Sequence, residues 1–158
     1  MTTEAARQGR LDDSFWRDLP AVADYFSPAI STLQNYLGIG SREIIFSIGL
    51  FLGERASERN PEFSARDMLN EFVAVWNNYE IGSLKLERHD PVTLVISDCR
   101  ICGQLPGTGD MYECWFHEGF FQGALSAKLA RPVKVTQESN HEGTSGTWCR
   151  RLVADAAV

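Results

Sequence analysis

The apolar residues near the start of the chain recur at the spacing of helices. Between residues 15 and 26 they fall three, four and seven positions apart, which is typical of one apolar helical face. Ser27-Pro28 then has the residue types of a helix start, with serine as the N-cap and proline in the first turn. The pattern predicts a first helix over 15–26 and a second helix that runs to about Gly38.

Two further helices are predicted before residue 80. Gly40-Ser41 begins one of them, and Ser64 with Asp67 resembles a capping box that opens the other. Because Gly49 and Gly53 lie four residues apart in the first of the two, this helix is expected to allow close backbone packing. The apolar faces of the two helices are Ile44, Ile45, Ile48 and Leu52, and Leu69, Phe72, Val73 and Trp76.

The second half of the chain changes to the period of strands. Leu84, Leu86 and Arg88 alternate with Lys85 and Glu87, which is the period of a half-exposed strand, and 92–97 form a short apolar run that is typical of a buried strand. A capping pattern predicts a helix over about 111–129. Two more strands are predicted at 133–136 and 148–153, with a polar turn between them.

This order of elements predicts the α+β fold class. N-terminal helices would pack on a small antiparallel sheet, and the helix at about 111–129 would be inserted between two strand pairs. The length of 158 residues suits a single domain, which we place at 12–153. Residues 1–11 are expected to form a disordered N-terminus.

Composition and charge exclude some functions. Hydrophobic residues make up 44% of the chain and charged residues 23%, as in ordinary globular domains. The net charge is −6, and no stripe of lysine and arginine is present. Since phosphate contacts need clustered cations, binding to nucleic acid is not expected.

Targeting signals are also not evident in the sequence. No apolar run approaches the roughly 20 residues that span a bilayer, and the polar N-terminus has no signal-peptide core. We therefore expect a cytoplasmic protein without a membrane span. In that compartment its four cysteines would be thiols or metal ligands rather than disulfides.

Four residues of the second half have side chains that bind zinc: Cys114, Glu138, His141 and Cys149. Cys114 falls in the first turn of the helix predicted at 111–129, and the other three fall around the last predicted turn. Their spacing alone also fits two small buried cysteines with a solvated glutamate and histidine.

A resemblance to a known family bears on these residues. The segments CWFHEGFFQGAL (114–125), VKVTQE (133–138), HEG (141–143) and Cys149 resemble the 4-vinyl reductase domain family. The residues in register with the family pattern are Cys114, Gly119, Gly123, Glu138, Gly143 and Cys149, and the specific part of the resemblance is 114–149. His141 stands where the family usually has cysteine.

The resemblance implies a zinc site and a ligand-binding role. The implied ligands are Cys114, Glu138, His141 and Cys149, and four protein ligands would make the zinc structural rather than catalytic. The fold is also similar to that of vesicle-tethering subunits of the TRAPP type. The family relation implies a homodimer that binds a hydrophobic small molecule such as a phenol, a hydrocarbon or a tetrapyrrole.

Cys99 and Cys102 form a separate C-x-x-C motif with three interpretations. They could complete a second metal site, form a redox pair, or be buried at the end of a strand. No thioredoxin-like βαβ pattern surrounds them.

The aromatic residues are candidates for a ligand pocket. Most should be core residues, and a subset could line an apolar pocket for a flat ligand; we assign Trp76, Tyr112, Phe116 and Phe120 to it. His117 and Glu118 are adjacent on the predicted helix. A buried pair there would suggest acid–base work, and we expect an exposed pair.

The functional hypothesis is a zinc-stabilised module that binds a hydrophobic, aromatic or tetrapyrrole ligand and acts as a sensor or carrier through a protein partner. One alternative is an accessory or assembly factor in chlorophyll or bilin metabolism or in photosynthetic-complex biogenesis. Another is a dimeric scaffold without a ligand. Catalysis is not favoured, since no nucleophile–base arrangement or dinucleotide fingerprint is evident; an enzyme of this type would be a tetrapyrrole vinyl reductase or its accessory.

Overall fold

The computed structural model describes residues 28–29, 32–33, 35–98, 115–138, 141–142 and 148–158. A 3₁₀ turn at Gly38–Gly40 leads into three helices and five strands, in the order α1 (Ser41–Glu58), α2 (Ala65–Asn78), β1 (Ser83–His89), β2 (Val92–Ser97), α3 (Trp115–Leu129), β3 (Val135–Gln137), β4 (His141–Glu142) and β5 (Trp148–Ala154). None of these helices has the length and apolar content to cross a membrane.

The predicted α+β class is confirmed. In the part of the chain that the structure describes, the strand pairs are all antiparallel, with the order β1-β2-β5-β3 and with β4 paired to β5. Helix α3 comes between β2 and β3 in the chain, as predicted. The predicted helix over 15–26 lies outside the described residues, and the second predicted helix is described in part, at 28–29, 32–33 and 35–37.

The predicted boundaries differ at the last strands. β3 occupies Val135–Gln137 instead of 133–136, because Val133 N–H donates to Ser126 Oγ of α3 at 3.0 Å before the ladder begins. The segment expected to be only a polar turn contains the two-residue strand β4. Short polar strands of this kind have no apolar alternation by which sequence could identify them.

One face of the sheet lies against the helices. Across β1, β2 and β5, Leu86 pairs with Leu94 and Leu94 with Leu152. Leu94 and Leu152 are almost fully buried in the main hydrophobic cluster. The opposite face carries Arg151, whose guanidinium lies 2.9 Å from Glu87.

Glycines let α1 and α3 cross in close contact. A Cβ on Gly49 or Gly53 of α1 would overlap the carbonyl oxygen of Phe116 or Phe120, and Gly119 and Gly123 of α3 are equally close to the α1 backbone. The close packing expected from Gly49 and Gly53 is therefore present. The crossing fixes the position of α3, which carries the residues considered next.

Candidate functional site

A buried aromatic cluster lies between α2 and α3. Helix α2 begins at the Ser64 cap, where the serine hydroxyl accepts a hydrogen bond from the Asp67 N–H at 3.1 Å. Its apolar face lies against the core and contributes Phe72 and Trp76 to the cluster. Helix α3 contributes its first two turns. The side chains of the cluster are at most 4% exposed: Phe72, Trp76, Phe116, His117, Phe120 and Phe121.

The rings of this cluster contact one another. Phe120 lies 5.1 Å from both Phe72 and Trp76, measured between ring centroids, and Phe116 lies 6.1 Å from Phe120. Most of these pairs are edge-to-face or tilted, which is the arrangement that aromatic quadrupoles favour. The cluster forms apolar walls of aromatic rings around a polar contact between two of its members.

That polar contact joins His117 to Trp76. The indole N–H of Trp76 donates to Nε2 of His117 at 2.9 Å, although the residues are 41 positions apart in the chain. His117 is 0% exposed. A buried polar atom without a partner costs about 1–3 kcal/mol, so this bond removes a penalty that the aromatic surroundings would otherwise impose.

Burial also fixes the charge of His117. Desolvation lowers the pKa of its imidazole from 6.5 to about 3, so the ring is neutral near pH 7. A neutral imidazole carries one proton, and since Nε2 accepts the indole bond, the proton is on Nδ1. The indole N–H of Trp76 and the unprotonated Nε2 of His117 thus face each other as a donor and an acceptor.

The arrangement is suited to binding. The other members of the cluster are phenylalanines, whose side chains carry no acid, base or nucleophile. Sites for small amphipathic molecules usually combine a few hydrogen-bonding groups, here those of Trp76 and His117, with apolar walls.

Three residues that the sequence assigns to a ligand pocket lie in this cluster, and their role in binding stays a prediction. The structure brings Trp76, Phe116 and Phe120 together, and Tyr112 lies outside the described residues.

The expectation of an exposed His117–Glu118 pair was wrong. His117 is fully buried, and the side chain of Glu118 is 12% exposed, 3.6 Å from Arg42. The signal was available, since His117 shares the 3, 4 and 7 spacing of an apolar face with Phe120, Phe121 and Ala124.

The predicted zinc ligands are described only in part. Cys114 lies outside the described residues, and of His141 and Cys149 only the backbone is described. These two residues are direct partners in the β4–β5 ladder. Directly after β3, the Glu138 N–H donates to the Arg151 carbonyl of β5 at 2.9 Å. The backbone register thus brings three of the four predicted ligands into neighbouring positions.

The side chain of Glu138 has a different neighbour in this structure. Its carboxylate lies 3.6 Å from the guanidinium of Arg151 and is about half exposed. Among the residues with described side chains, no three histidines, cysteines or acidic residues cluster as metal ligands would. Cys99 and Cys102 lie outside the described part of the chain.

A groove of about 450 Å³ lies apart from the aromatic cluster. It runs between the start of α1, the middle of α3 and residues 132–135. Its lining mixes apolar side chains such as Phe46 with the Arg42–Glu118 ion pair. Neither Trp76 nor His117 lines it, so this surface is distinct from the buried cluster.

Comparison with known proteins gives relatives of the fold. No family model matches the chain. An uncharacterised protein of Methanocaldococcus jannaschii is 25% identical over 118 residues, which is 75% of this chain and 67% of that protein. The identity is too low to establish a family, and membership of the 4-vinyl reductase family stays a prediction.

Two solved structures are similar to this chain. The phenol-responsive sensory domain of the transcription activator PoxR, solved with phenol, matches with a TM-score of 0.63 and 16% identity over 85% of this chain and 73% of that chain. Subunit 3 of a trafficking protein particle complex from Naegleria fowleri, covalently bound to palmitic acid, matches with a TM-score of 0.59 and 11% identity over 88% of this chain and 96% of that chain. The chain therefore has an α+β fold shared with a sensory domain and with a TRAPP subunit, as the sequence predicted.

Proposed function

We propose that this protein binds a small aromatic molecule with a hydroxyl group, and that the Trp76–His117 pair is the polar anchor for it. The observation that carries the proposal is the buried indole-to-imidazole bond of 2.9 Å inside aromatic walls. The fold shared with a phenol-responsive sensory domain supports a ligand of this class.

A hydroxyl group can replace the bond between the two residues without leaving either one unpaired. Its oxygen accepts a hydrogen bond from the Trp76 N–H, and its O–H donates one to Nε2 of His117, which is unprotonated because the neutral ring carries its proton on Nδ1. One bond between two side chains becomes two bonds to the ligand. A hydrocarbon of the same shape would leave the donor and the acceptor without partners, at a cost of about 1–3 kcal/mol for each group.

The close packing of the aromatic cluster favours a ligand that contains a single ring. The described rings are already within 5.1–6.2 Å of one another, so a ligand must take the place of part of this packing. A phenyl-sized ring can exchange with one side-chain ring and keep the edge-to-face contacts. A tetrapyrrole would displace most of the cluster, so we favour a simple phenol over the tetrapyrrole ligand and the role in pigment metabolism.

Calorimetry on the wild-type chain and two variants tests this proposal. Phenol should bind the wild type, and Trp76→Phe should weaken the binding by at least tenfold, because the loss of one buried hydrogen bond costs about 1.4 kcal/mol or more. Toluene should bind more weakly than phenol to the wild type and should lose little in the variant.

Tyr79→Phe is the matched control. It removes a hydroxyl from an aromatic residue that packs against the core outside the cluster, and it should leave the affinity for phenol unchanged. Equal binding of phenol and toluene, or equal binding of phenol to the wild type and to Trp76→Phe, would show that the pair is not the anchor.

We also propose a structural zinc ion held by Cys114, Glu138, His141 and Cys149. Support comes from the chemistry of these donors and from the backbone register that pairs His141 with Cys149. Bound zinc would join the β4–β5 pair to the start of α3. Ligation by Glu138 would require its carboxylate to leave Arg151.

Elemental analysis of protein purified without added metal tests the zinc site. We expect about one zinc per chain and, for Cys149→Ser, loss of the metal together with a lower melting temperature, since metal binding contributes to folding. The control is Ser97→Ala, at the position paired with Cys149 on β2, which should keep its zinc. Wild-type protein without metal would contradict the proposal.

A scaffold without a ligand is the second candidate. The observation that favours it is the contact among the cluster rings, which fills the space between α2 and α3. The fold shared with a subunit of a vesicle-tethering complex is consistent with that role. A chain that binds neither phenol nor toluene but does bind another protein would favour it.

A further inference from the structure

The groove between α1, α3 and residues 132–135 has the size and the lining of a site for a small molecule. Its volume of about 450 Å³ lies within the range of roughly 300–1,000 Å³ that is typical of ligand pockets. The apolar part of its lining consists of Phe46, Pro132, Val133 and Val135. A ligand of this groove therefore needs an apolar portion to cover these side chains.

The charged side chains of the groove are nearly balanced in sign. Two cations and three carboxylates line it: Arg42, Lys134, Glu43, Glu118 and Asp155. A ligand that is only anionic would meet the three carboxylates, and a ligand that is only cationic would meet the two cations, so neither is favoured. A ligand that carries both charges finds a group of opposite sign for each.

Two of these charges are adjacent but make no hydrogen bond to each other. Nη2 of Arg42 lies 3.6 Å from Oε1 of Glu118, which is too long for a hydrogen bond. The Glu118 side chain is only 12% exposed, and its other oxygen, Oε2, accepts from the amide of Gln137 at 2.7 Å. The Gln137 bond orients the carboxylate, and the guanidinium and Oε1 keep their capacity to bond to a ligand.

Gln122 adds a further polar group to the groove. It lies four residues after Glu118, on the same face of α3. Its Oε1 accepts from the Val135 N–H at 3.1 Å, which fixes the amide so that the NH₂ group is its free side. No described residue accepts a hydrogen bond from that NH₂ group. The groove thus contains two donors for a carboxylate, Arg42 and Gln122, beside one acceptor for an ammonium group, Glu118.

We propose that this groove binds an apolar α-amino acid, which carries an ammonium group and a carboxylate on the same carbon. The carboxylate accepts from Arg42 and Gln122, and the ammonium group donates to Oε1 of Glu118. The apolar side chain of the ligand covers Phe46 and Val135. One long ion pair within the chain is replaced by two charge-assisted contacts with the ligand. The groove shares no residue with the aromatic cluster, so this site does not depend on phenol binding.

Calorimetry of the full chain with L-leucine and two analogues tests the need for both charges. Isopentylamine has the same apolar group without the carboxylate, and isocaproate has it without the ammonium group. The wild type should bind L-leucine at least tenfold more tightly than either analogue, because each analogue lacks one charge-assisted contact. Equal binding of the three compounds, or no binding of L-leucine, would overturn the proposal.

Two variants distinguish direct contact from an effect on folding. Glu118→Gln is isosteric and can still accept from Gln137. It should bind L-leucine at least tenfold more weakly than the wild type but isocaproate more tightly, because Arg42 loses a competing carboxylate. Arg42→Gln should also bind L-leucine at least tenfold more weakly and should keep its affinity for isopentylamine.

Arg55→Gln is the matched control. It removes a cation with its own ion pair from the same helix, outside the groove, and should leave the affinity for L-leucine unchanged. Unchanged binding of L-leucine to Glu118→Gln would contradict the proposal. A parallel loss of L-leucine and both analogues in the two groove variants would also contradict it, since this would show that the ion pair only maintains the fold.

Discussion

At the scale of single residues, the surroundings of His117 decide its protonation. Burial among Trp76, Phe116 and Phe121 lowers the pKa of the imidazole to about 3, and desolvation is the cause. The Trp76 bond then needs the unprotonated Nε2 as its acceptor. Charge and hydrogen bonding thus favour the same neutral form, which is the form that a phenolic hydroxyl requires.

The lowered pKa of His117 predicts a pH dependence of stability. In the unfolded chain this histidine titrates near its ordinary value of 6.5, so below that pH the unfolded state binds a proton that the folded state does not. The free energy of unfolding should therefore fall with decreasing pH between about 6.5 and 3, by about 1.4 kcal/mol per unit at most from this residue.

Urea titrations of the wild type and His117→Gln measure this effect. Glutamine does not titrate and offers an oxygen to the Trp76 N–H. The difference in stability between the two proteins should shrink as the pH falls from 6.5. A difference that is constant across that range would show that His117 is not buried in its neutral form.

At the scale of elements, the crossing of α1 and α3 depends on four glycines. Gly53 and Gly123 each lie where a Cβ would overlap a carbonyl oxygen of the other helix. The paired spacing Gly49/Gly53 was visible in the sequence, and it predicted a close approach correctly. It could not identify α3 as the partner, because spacing along one helix contains no information about which helix it meets.

Gly53→Ala should be strongly destabilising. Helix propensity alone would make alanine more stable by about 1 kcal/mol, but the added Cβ meets backbone that cannot rotate away, so we expect a net loss of about 3 kcal/mol or more. Gly40→Ala is the control, since nothing lies within 4 Å of a Cβ there. Chemical denaturation compares the two, and similar stabilities would rule out the close crossing.

The edge of β1 depends on a side chain of α2. Asn77 Oδ1 accepts from Leu84 N–H at 3.3 Å, and its Nδ2 donates to the Leu84 carbonyl at 2.9 Å, so the amide replaces a neighbouring strand. Asn77→Ala should cost about 1–2 kcal/mol of stability by leaving both backbone groups without this partner. Asn78→Ala, at the exposed neighbouring position, should cost clearly less, and thermal denaturation that ranks the two alike would contradict this function of Asn77.

At the scale of the whole molecule, the order of helices and strands followed from periodicity. Apolar spacing predicted α1, α2, β1, β2, β5 and the end of α3 at Leu129. Periodicity places His117 on an apolar face of α3, but it could not identify Trp76 as the partner that makes its burial stable, because Trp76 lies 41 residues away in the chain. Contacts between distant elements depend on the packing, which no local pattern records.

The central claim is that the Trp76–His117 pair anchors a phenolic ligand. Nuclear magnetic resonance of nitrogen-15-labelled protein titrated with phenol tests it directly, because the indole N–H of Trp76 and the ring nitrogens of His117 report their own hydrogen bonds. Both sets of signals should shift together and saturate at the same phenol concentration. Phenol that binds while both sets stay in place, or no binding at any concentration, would contradict the account.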